Sequence, residues 1–289
     1  MESPAKTIDD FIDQINLKET ENALSSNKYI QFKEWLNNNN FQINPKIQFP
    51  TVFGEDMLIG FSAKEIIQPK ELLLRIPVSK IITKELIRNS DLKPFFEKNP
   101  EIFVDHFDAC NLLFTTYILR EMTIENSFWK YYINAAIIPD LPFTWNVTEK
   151  FKCDNIILKA DAEGYEIEMN EEWNLLENAM KDAANLFNLN LINKQLFVNA
   201  YSLVISRIFG TAFPTTFLAP FADSLNHAPN SDVIIEFVKT SEQKTFITYE
   251  NKEKAEIKQE EEGYSNEESE SVSCNEENEE DNYDINWYF

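Results

Sequence analysis

Apolar residues near the N-terminus fall three and four apart. Ile8, Phe11, Ile12 and Ile15 recur around Asp9-Asp10, and Ile30, Phe32, Trp35 and Leu36 repeat the spacing. This periodicity predicts two helices within residues 6–37. The second is stopped by the Asn37–Asn40 run, whose side chains compete with the backbone for hydrogen bonds. The pattern then shortens. Ile47, Phe49, Val52 and Phe53 bracket Pro50, Leu58–Ala63 follows a turn at Gly54-Glu55-Asp56, and Leu72-Leu73-Leu74-Arg75-Ile76-Pro77 reads as a buried strand closed by proline. Helical spacing returns over 83–200, in Leu112–Leu119 and in Trp173, Leu175, Leu176, Ala179, Met180, Ala183, Ala184 and Leu186. Pro139, Pro142 and Trp145 mark a loop between helices. A further helix runs from Leu196 through Ser206, with Gly210 as its C-cap candidate. Strand-like patterning resumes in Val233–Val238 and Thr245–Tyr249.

Strands, then a long helical stretch, then strands again predict an α+β chain: a β-unit interrupted by a helical insertion. The divisions are a helical extension at 1–27, a first β part at 28–82, the helical insertion at 83–200, a second β part at 201–250, and an acidic low-complexity tail or insertion at 251–289. Disorder is the first reading of 251–284, yet the chain closes on Asp284-Ile285-Asn286-Trp287-Tyr288-Phe289. That aromatic end predicts the start of something ordered.

Composition narrows the function. The 289 residues include only five glycines, in neither a GxGxxG nor a GxxxxGK[ST] pattern, which removes the common nucleotide-binding folds. Formal net charge is −23, from 49 acids and 26 bases. Without the twelve acids of residues 259–284 the balance is 37 acids against 26 bases, or −11. An acidic body argues against nucleic acid, whose binding rests on neutralising phosphates, and suits a protein partner with a basic surface. Cys110, Cys153 and Cys274 are odd in number and widely spaced, so neither a disulfide framework nor a metal site is expected. The acidic N-terminus lacks an apolar signal segment, and no apolar run reaches the ~18 residues of a membrane span. A cytoplasmic or nuclear protein that does not enter membranes is the expectation.

The most informative stretch is Pro220-Phe-Ala-Asp-Ser-Leu-Asn-His-Ala-Pro-Asn230, which sets Asp223 and Asn226-His227 between an apolar run and a Pro-Asn turn. Three other segments precede it in order. They are Trp35-Leu36 with Gly54–Ala63; Glu71-Leu72-Leu73-Leu74-x-Ile76-Pro77; and Glu121-x(5)-Ser127-Phe128-Trp129-Lys130-Tyr131-Tyr132-Ile133. Ser202-Leu203-Val204-x-Ser206-Arg207-x-Phe209 then leads into Asp223–His227. Together these resemble, over residues 28–249, the SET-domain methyltransferases with a large helical insertion. The Rubisco large-subunit lysine methyltransferase and the actin histidine methyltransferase typify that branch.

The resemblance implies a split SET β-fold and an S-adenosylmethionine-dependent protein N-methyltransferase, acting on lysine in preference to histidine. It implies that Asn226 and His227 hold the cofactor through backbone groups, with Asp223, Ser224 and Leu225 lining it. Glu71, Leu72 and Leu73 are implied to contact it, and Arg207 to lie near its carboxylate, which suits a guanidinium fork. Each residue also has a plainer reading. His227 fits a turn, Arg207 answers a helix dipole, Glu71 fits a solvated turn, Asp223 caps a turn, and Trp129, Tyr131 and Tyr132 fit a core. His106, Asp108 and Cys110 do not make a thiol site without partners in space.

Two departures from the family stand out. Ile59-Gly60-Phe61 keeps one hairpin glycine where the family has two, with Gly54 further off. Tyr249 lies soon after His227 with no glycine close behind, and reads as part of the strand before the family's catalytic tyrosine. The catalytic residue is therefore unassigned and the C-terminal part of the fold is expected to be incomplete. The rival expectations are a catalytically inactive SET-like module that recruits a basic partner, and a helical scaffold whose Asn-His is coincidence.

Overall fold

The computed structural model describes residues 8–103, 111–210, 216–226, 234–239 and 283–288. Among them, helices and strands follow the expected order, and the residues cluster into two compact units. The first comprises Met1–Leu36, Phe49–Phe61 and Ile81–Asn226, and the second Asn37–Gln48, Ser62–Lys80 and His227–Phe289.

The first unit opens with α1 (Ile8–Ser25) and continues into α2 (Asn27–Asn38). The asparagine run ends α2 as expected, and Asn40 adopts a left-handed φ of 62°. Strands β2 (Ile47–Phe53) and β3 (Leu58–Ala63) form a two-stranded ribbon, with Gly54 at φ 68° in its turn. A lone ribbon leaves unpaired backbone along its edge, and α1 meets that need. Thr20 Oγ1 accepts from the Val52 N–H at 2.9 Å. In the orientation that satisfies both atoms, the Asn16 amide donates to Gly54 O and accepts from Gly54 N, each at 3.0 Å.

Helices supply much of this unit's core. They include α3 (Lys84–Arg88), α4 (Lys93–Lys98), α5 (Asn111–Glu121), α6 (Lys130–Ala135), α7 (Val147–Lys152), α8 (Ile156–Lys181) and α9 (Lys194–Arg207). Polar caps fix several starts. Asn146 and Glu149 form a reciprocal capping box at α7, Asn155 caps α8, and Asn193 caps α9. Helix α8 begins well before the Trp173 pattern suggested. Its buried stripe is Ala162, Met169, Trp173, Leu176 and Met180, whereas Leu175, expected on the apolar face, is 54% exposed. The C-cap of α9 is Ile208, in extended conformation, and not Gly210. Gly210 has no left-handed φ, so the glycine is not needed there. Beyond α9, β6 (Phe217–Leu218) pairs antiparallel with β5 (Ile82–Thr83).

The second unit is a four-stranded sheet ordered β1 (Gln42–Ile43), β4 (Leu72–Pro77), β8 (Tyr283–Tyr288), β7 (Ile234–Lys239). All its pairings are antiparallel. The aromatic C-terminal segment is thus an interior strand. Ile285 stands opposite Ile76 on β4 and Phe237 on β7, and both isoleucines are buried. The acidic stretch at 251–282 lies in the chain between β7 and β8, which pair with each other. Residues 245–249, 251–282 and Tyr249 lie outside the described residues. No described helix is long and apolar enough to cross a membrane.

One carboxylate on α8 carries a measurable consequence. Burial, and then the neighbouring Glu168, push the Glu172 carboxyl up to about 7, and its buried Oε2 has no hydrogen-bond partner among the described residues. The folded state therefore binds this proton more tightly than the unfolded chain. Its contribution to stability is full below the unfolded pKa and is lost as pH rises from about 4.5 through 7. Glu172→Gln should gain stability over the wild type by up to about 3 kcal/mol at pH 8 and little at pH 4. Thermal unfolding across that range checks this, and parallel curves for the two proteins would show that Glu172 titrates normally.

Candidate functional site

The stretch from Ala219 to Asn226 is a tight turn whose backbone is held at short range. Asp223 N–H donates to Ala219 O, Ser224 N–H to Phe221 O, and Leu225 N–H to Ala222 O, at 3.0 to 3.1 Å. Ala222–Ser224 form one 3₁₀ turn. Ahead of it, Phe221 adopts φ 78° and ψ −56°, a conformation that costs a non-glycine residue about 1–3 kcal/mol. Aromatic packing holds it there. The Phe221 ring meets Phe61 at 4.7 Å, Phe49 at 5.4 Å and Phe32 at 6.2 Å between centroids.

The Asp223 side chain is fully buried and accepts from three directions. Its Oδ2 takes the Tyr132 hydroxyl at 2.6 Å. Its Oδ1 takes Arg207 Nη1 at 3.1 Å and Ser224 Oγ at 3.2 Å. Arg207, the last residue of α9, also donates from Nη1 to Ser224 Oγ and Asp223 O, and from Nη2 to Ile137 O. Burial pushes the Asp223 carboxyl above its ordinary range, against the opposing pull of Arg207, Tyr132 and Ser224. Both Nη atoms are thus engaged by protein acceptors, where the sequence reading placed them near a cofactor carboxylate.

Three residues further on, Asn226 uses its side chain as a substitute peptide group. Phe61 N–H donates to Asn226 Oδ1 at 3.1 Å, and Asn226 Nδ2 donates to Phe61 O at 2.8 Å. The amide therefore pairs with β3 as a neighbouring strand would. This close approach explains the single retained hairpin glycine: a Cβ on Gly60 would lie 1.7 Å from Asn226 Oδ1. With its carboxamide committed and the residue exposed, Asn226 has peptide groups without a hydrogen-bond partner among the described residues. An adenine edge needs that kind of donor and acceptor.

Arg207, Asp223, Ser224, Leu225 and Asn226 are therefore brought together in the first unit. Glu71, Leu72 and Leu73 belong to the second. There Glu71 Oε1 accepts from Asn44 Nδ2, and Oε2 from Lys46 Nζ and Gln68 N, at 2.8 to 2.9 Å. Burial alone would raise the Glu71 carboxyl, but these donors hold it below its ordinary value. Leu73 and Leu74 are core. His227, His106, Asp108 and Cys110 lie outside the described residues. Sequence reasoning missed Gly60–Phe61 as the partner of Asn226, and Tyr132 as a partner of Asp223. The Trp129–Tyr132 run was visible, but its target lies 91 residues away.

Solved structures share this architecture. The SET domain of LSMT bound to lysine and AdoHcy superposes with a TM-score of 0.63 at 19% identity, over 74% of this chain and 47% of that one. Rubisco LSMT bound to sinefungin and monomethyllysine gives 0.59 at 20% identity, over 75% and 47%. Rubisco LSMT bound to AdoMet gives 0.59 at 20% identity, over 71% and 45%. This chain has the SET-domain fold. It spans about half the length of the solved chains it matches. No family model and no curated protein matches the sequence. In this SET-domain fold the stretch from Ala219 to Asn226 is the held turn, and Tyr132 supplies one of its partners.

The Gly60–Asn226 contact predicts non-additive substitutions. Gly60→Ala should destabilise the fold by about 1–3 kcal/mol through overpacking, and Asn226→Ala by a similar amount through two unpaired backbone groups. In an Asn226→Ala background, Gly60→Ala should cost clearly less, because the obstructing oxygen is gone. A double-mutant cycle in urea measures the coupling; strictly additive costs would contradict the contact.

Proposed function

We propose that this protein binds S-adenosylmethionine and transfers its methyl group to a nitrogen of a protein substrate, lysine in preference to histidine. The observation that carries the reading is the committed side chain of Asn226. It fixes the turn on β3 and leaves the peptide groups of Asn226 to meet an adenine edge. The ligands bound in the neighbouring structures, AdoHcy, AdoMet, sinefungin and lysine, are what such a turn would serve.

In this reading Asp223, Ser224 and Leu225 line the cofactor through the turn they build. Arg207 holds that turn and contributes positive charge beside it. Glu71, Leu72, Leu73 and His227 are carried from the resemblance alone, as are the β parts at 28–82 and 201–250 flanking an insertion at 83–200. The bound cofactor supplies an electrophilic methyl on a sulfonium. The chain's part is to align it with a deprotonated amine, because an in-line transfer depends on distance and orientation. The net charge of −23 favours a substrate with a basic surface. The catalytic residue is not assigned.

Calorimetric titration with S-adenosylhomocysteine tests this. Saturable one-to-one binding is expected, weakened roughly tenfold or more in Asn226→Ala, the loss that follows from about 1.4 kcal/mol. No binding heat from a folded wild-type protein would refute the cofactor reading.

A further inference from the structure

The insertion signature has a chemical purpose that its core-like composition hides. Tyr132 sits on α6 and is 1% exposed, so by burial alone it is a core residue. A core position needs only the ring, and phenylalanine would fill it. The hydroxyl, however, donates at 2.6 Å to the buried Oδ2 of Asp223, three residues before Asn226. Burial and the adjacent carboxylate hold the phenol well above its ordinary pKa, so it remains a proton donor.

The rest of the signature places α6 so that this contact is made. Ser127 Oγ donates to Glu121 Oε2 at 2.6 Å and accepts from Trp129 N–H at 3.1 Å. Trp129 Nε1 donates to the Tyr117 hydroxyl at 2.9 Å, and its ring packs on Phe128 and Trp35. Glu121, Ser127 and Trp129 thus anchor the start of α6 to the end of α5, and Tyr132 projects one turn further on. On the other side of Asp223, Arg207 and Ser224 fill Oδ1. Tyr132 is the group that fills Oδ2.

We propose that Tyr132 is a positioning residue for the Asn226 turn: its hydroxyl fixes the Asp223 carboxylate, and through it the backbone that sets the Asn226 amide against Phe61. Its effect on cofactor binding rests on the proposed function; its effect on the turn does not. The hydroxyl links α6 to the turn that ends at Asn226, so this helix acts on the turn through one hydrogen bond as well as through packing.

The test is residue-resolved amide hydrogen exchange of the ligand-free full chain, wild type against Tyr132→Phe, which keeps the ring. The Phe61 amide reports the Asn226 contact. The Val52 amide, bound to Thr20 Oγ1 on the other strand of the same ribbon, reports general loosening. Loss of one charge-assisted hydrogen bond should speed exchange at Phe61 by roughly tenfold, with Val52 unchanged and Tyr131→Phe without effect. Equal acceleration at both amides, or at neither, overturns the proposal and leaves Tyr132 a core residue. Should Tyr132→Phe not fold, Asp223→Asn gives the same comparison, with the same selective loss at Phe61 expected. S-Adenosylhomocysteine titration of the same proteins separates the two ideas. Selective exchange at Phe61 in a wild type that binds no ligand sustains the positioning role and refutes the cofactor reading. Unchanged exchange and affinity in the variant of a wild type that binds does the reverse.

Discussion

A buried carboxylate is the constraint around which the candidate site is built. The Asp223 side chain is wholly removed from water, and a charge in that position is tolerated only when it is paired and hydrogen-bonded. Tyr132 comes from α6, Arg207 from the end of α9, and Ser224 from the turn itself. Three separate stretches of chain must therefore arrive together, and removing Arg207 leaves the charge without its counter-charge. Such a network contributes little net stability compared with an apolar core of the same volume. What it fixes is geometry, because only one arrangement satisfies all its members.

That geometry is put to use at the neighbouring residues. Phe221 is held in an unfavourable backbone conformation by rings from α2, β2 and β3. Asn226 is pinned to the backbone of β3 at a place where only glycine leaves room. Strain imposed by its surroundings, beside a fully paired buried charge, is the kind of arrangement that persists when a local backbone shape matters. The shape here is a short exposed stretch of peptide whose own side chain is turned away.

Neighbours at 18–20% identity adopt the same fold. Most core positions require only an apolar side chain of suitable size, which many sequences satisfy. The few that require a particular chemistry are the ones described above.

The sequence alone determined the order of strands and helices and the end of α2 at its asparagines, and it singled out the stretch that holds Asp223 and Asn226. These are legible because periodicity, turn chemistry and dense motifs act over a few residues. It also marked the aromatic C-terminus as ordered, though not as the interior strand of a four-stranded sheet, since strand partners 200 residues apart leave no local trace. It misjudged Leu175 and Gly210, because burial and cap geometry depend on what packs nearby. Tertiary structure alone decided that Arg207 turns its Nη donors to Asp223, Ser224 and Ile137, that Glu71 is held by Asn44, Lys46 and Gln68, and that only glycine at position 60 leaves room for Asn226. It also turned Tyr132 from an apparent core aromatic into a hydrogen-bond donor. Each of these rests on a contact within a few ångström between groups far apart in the chain, and spacing along a sequence does not encode such distances.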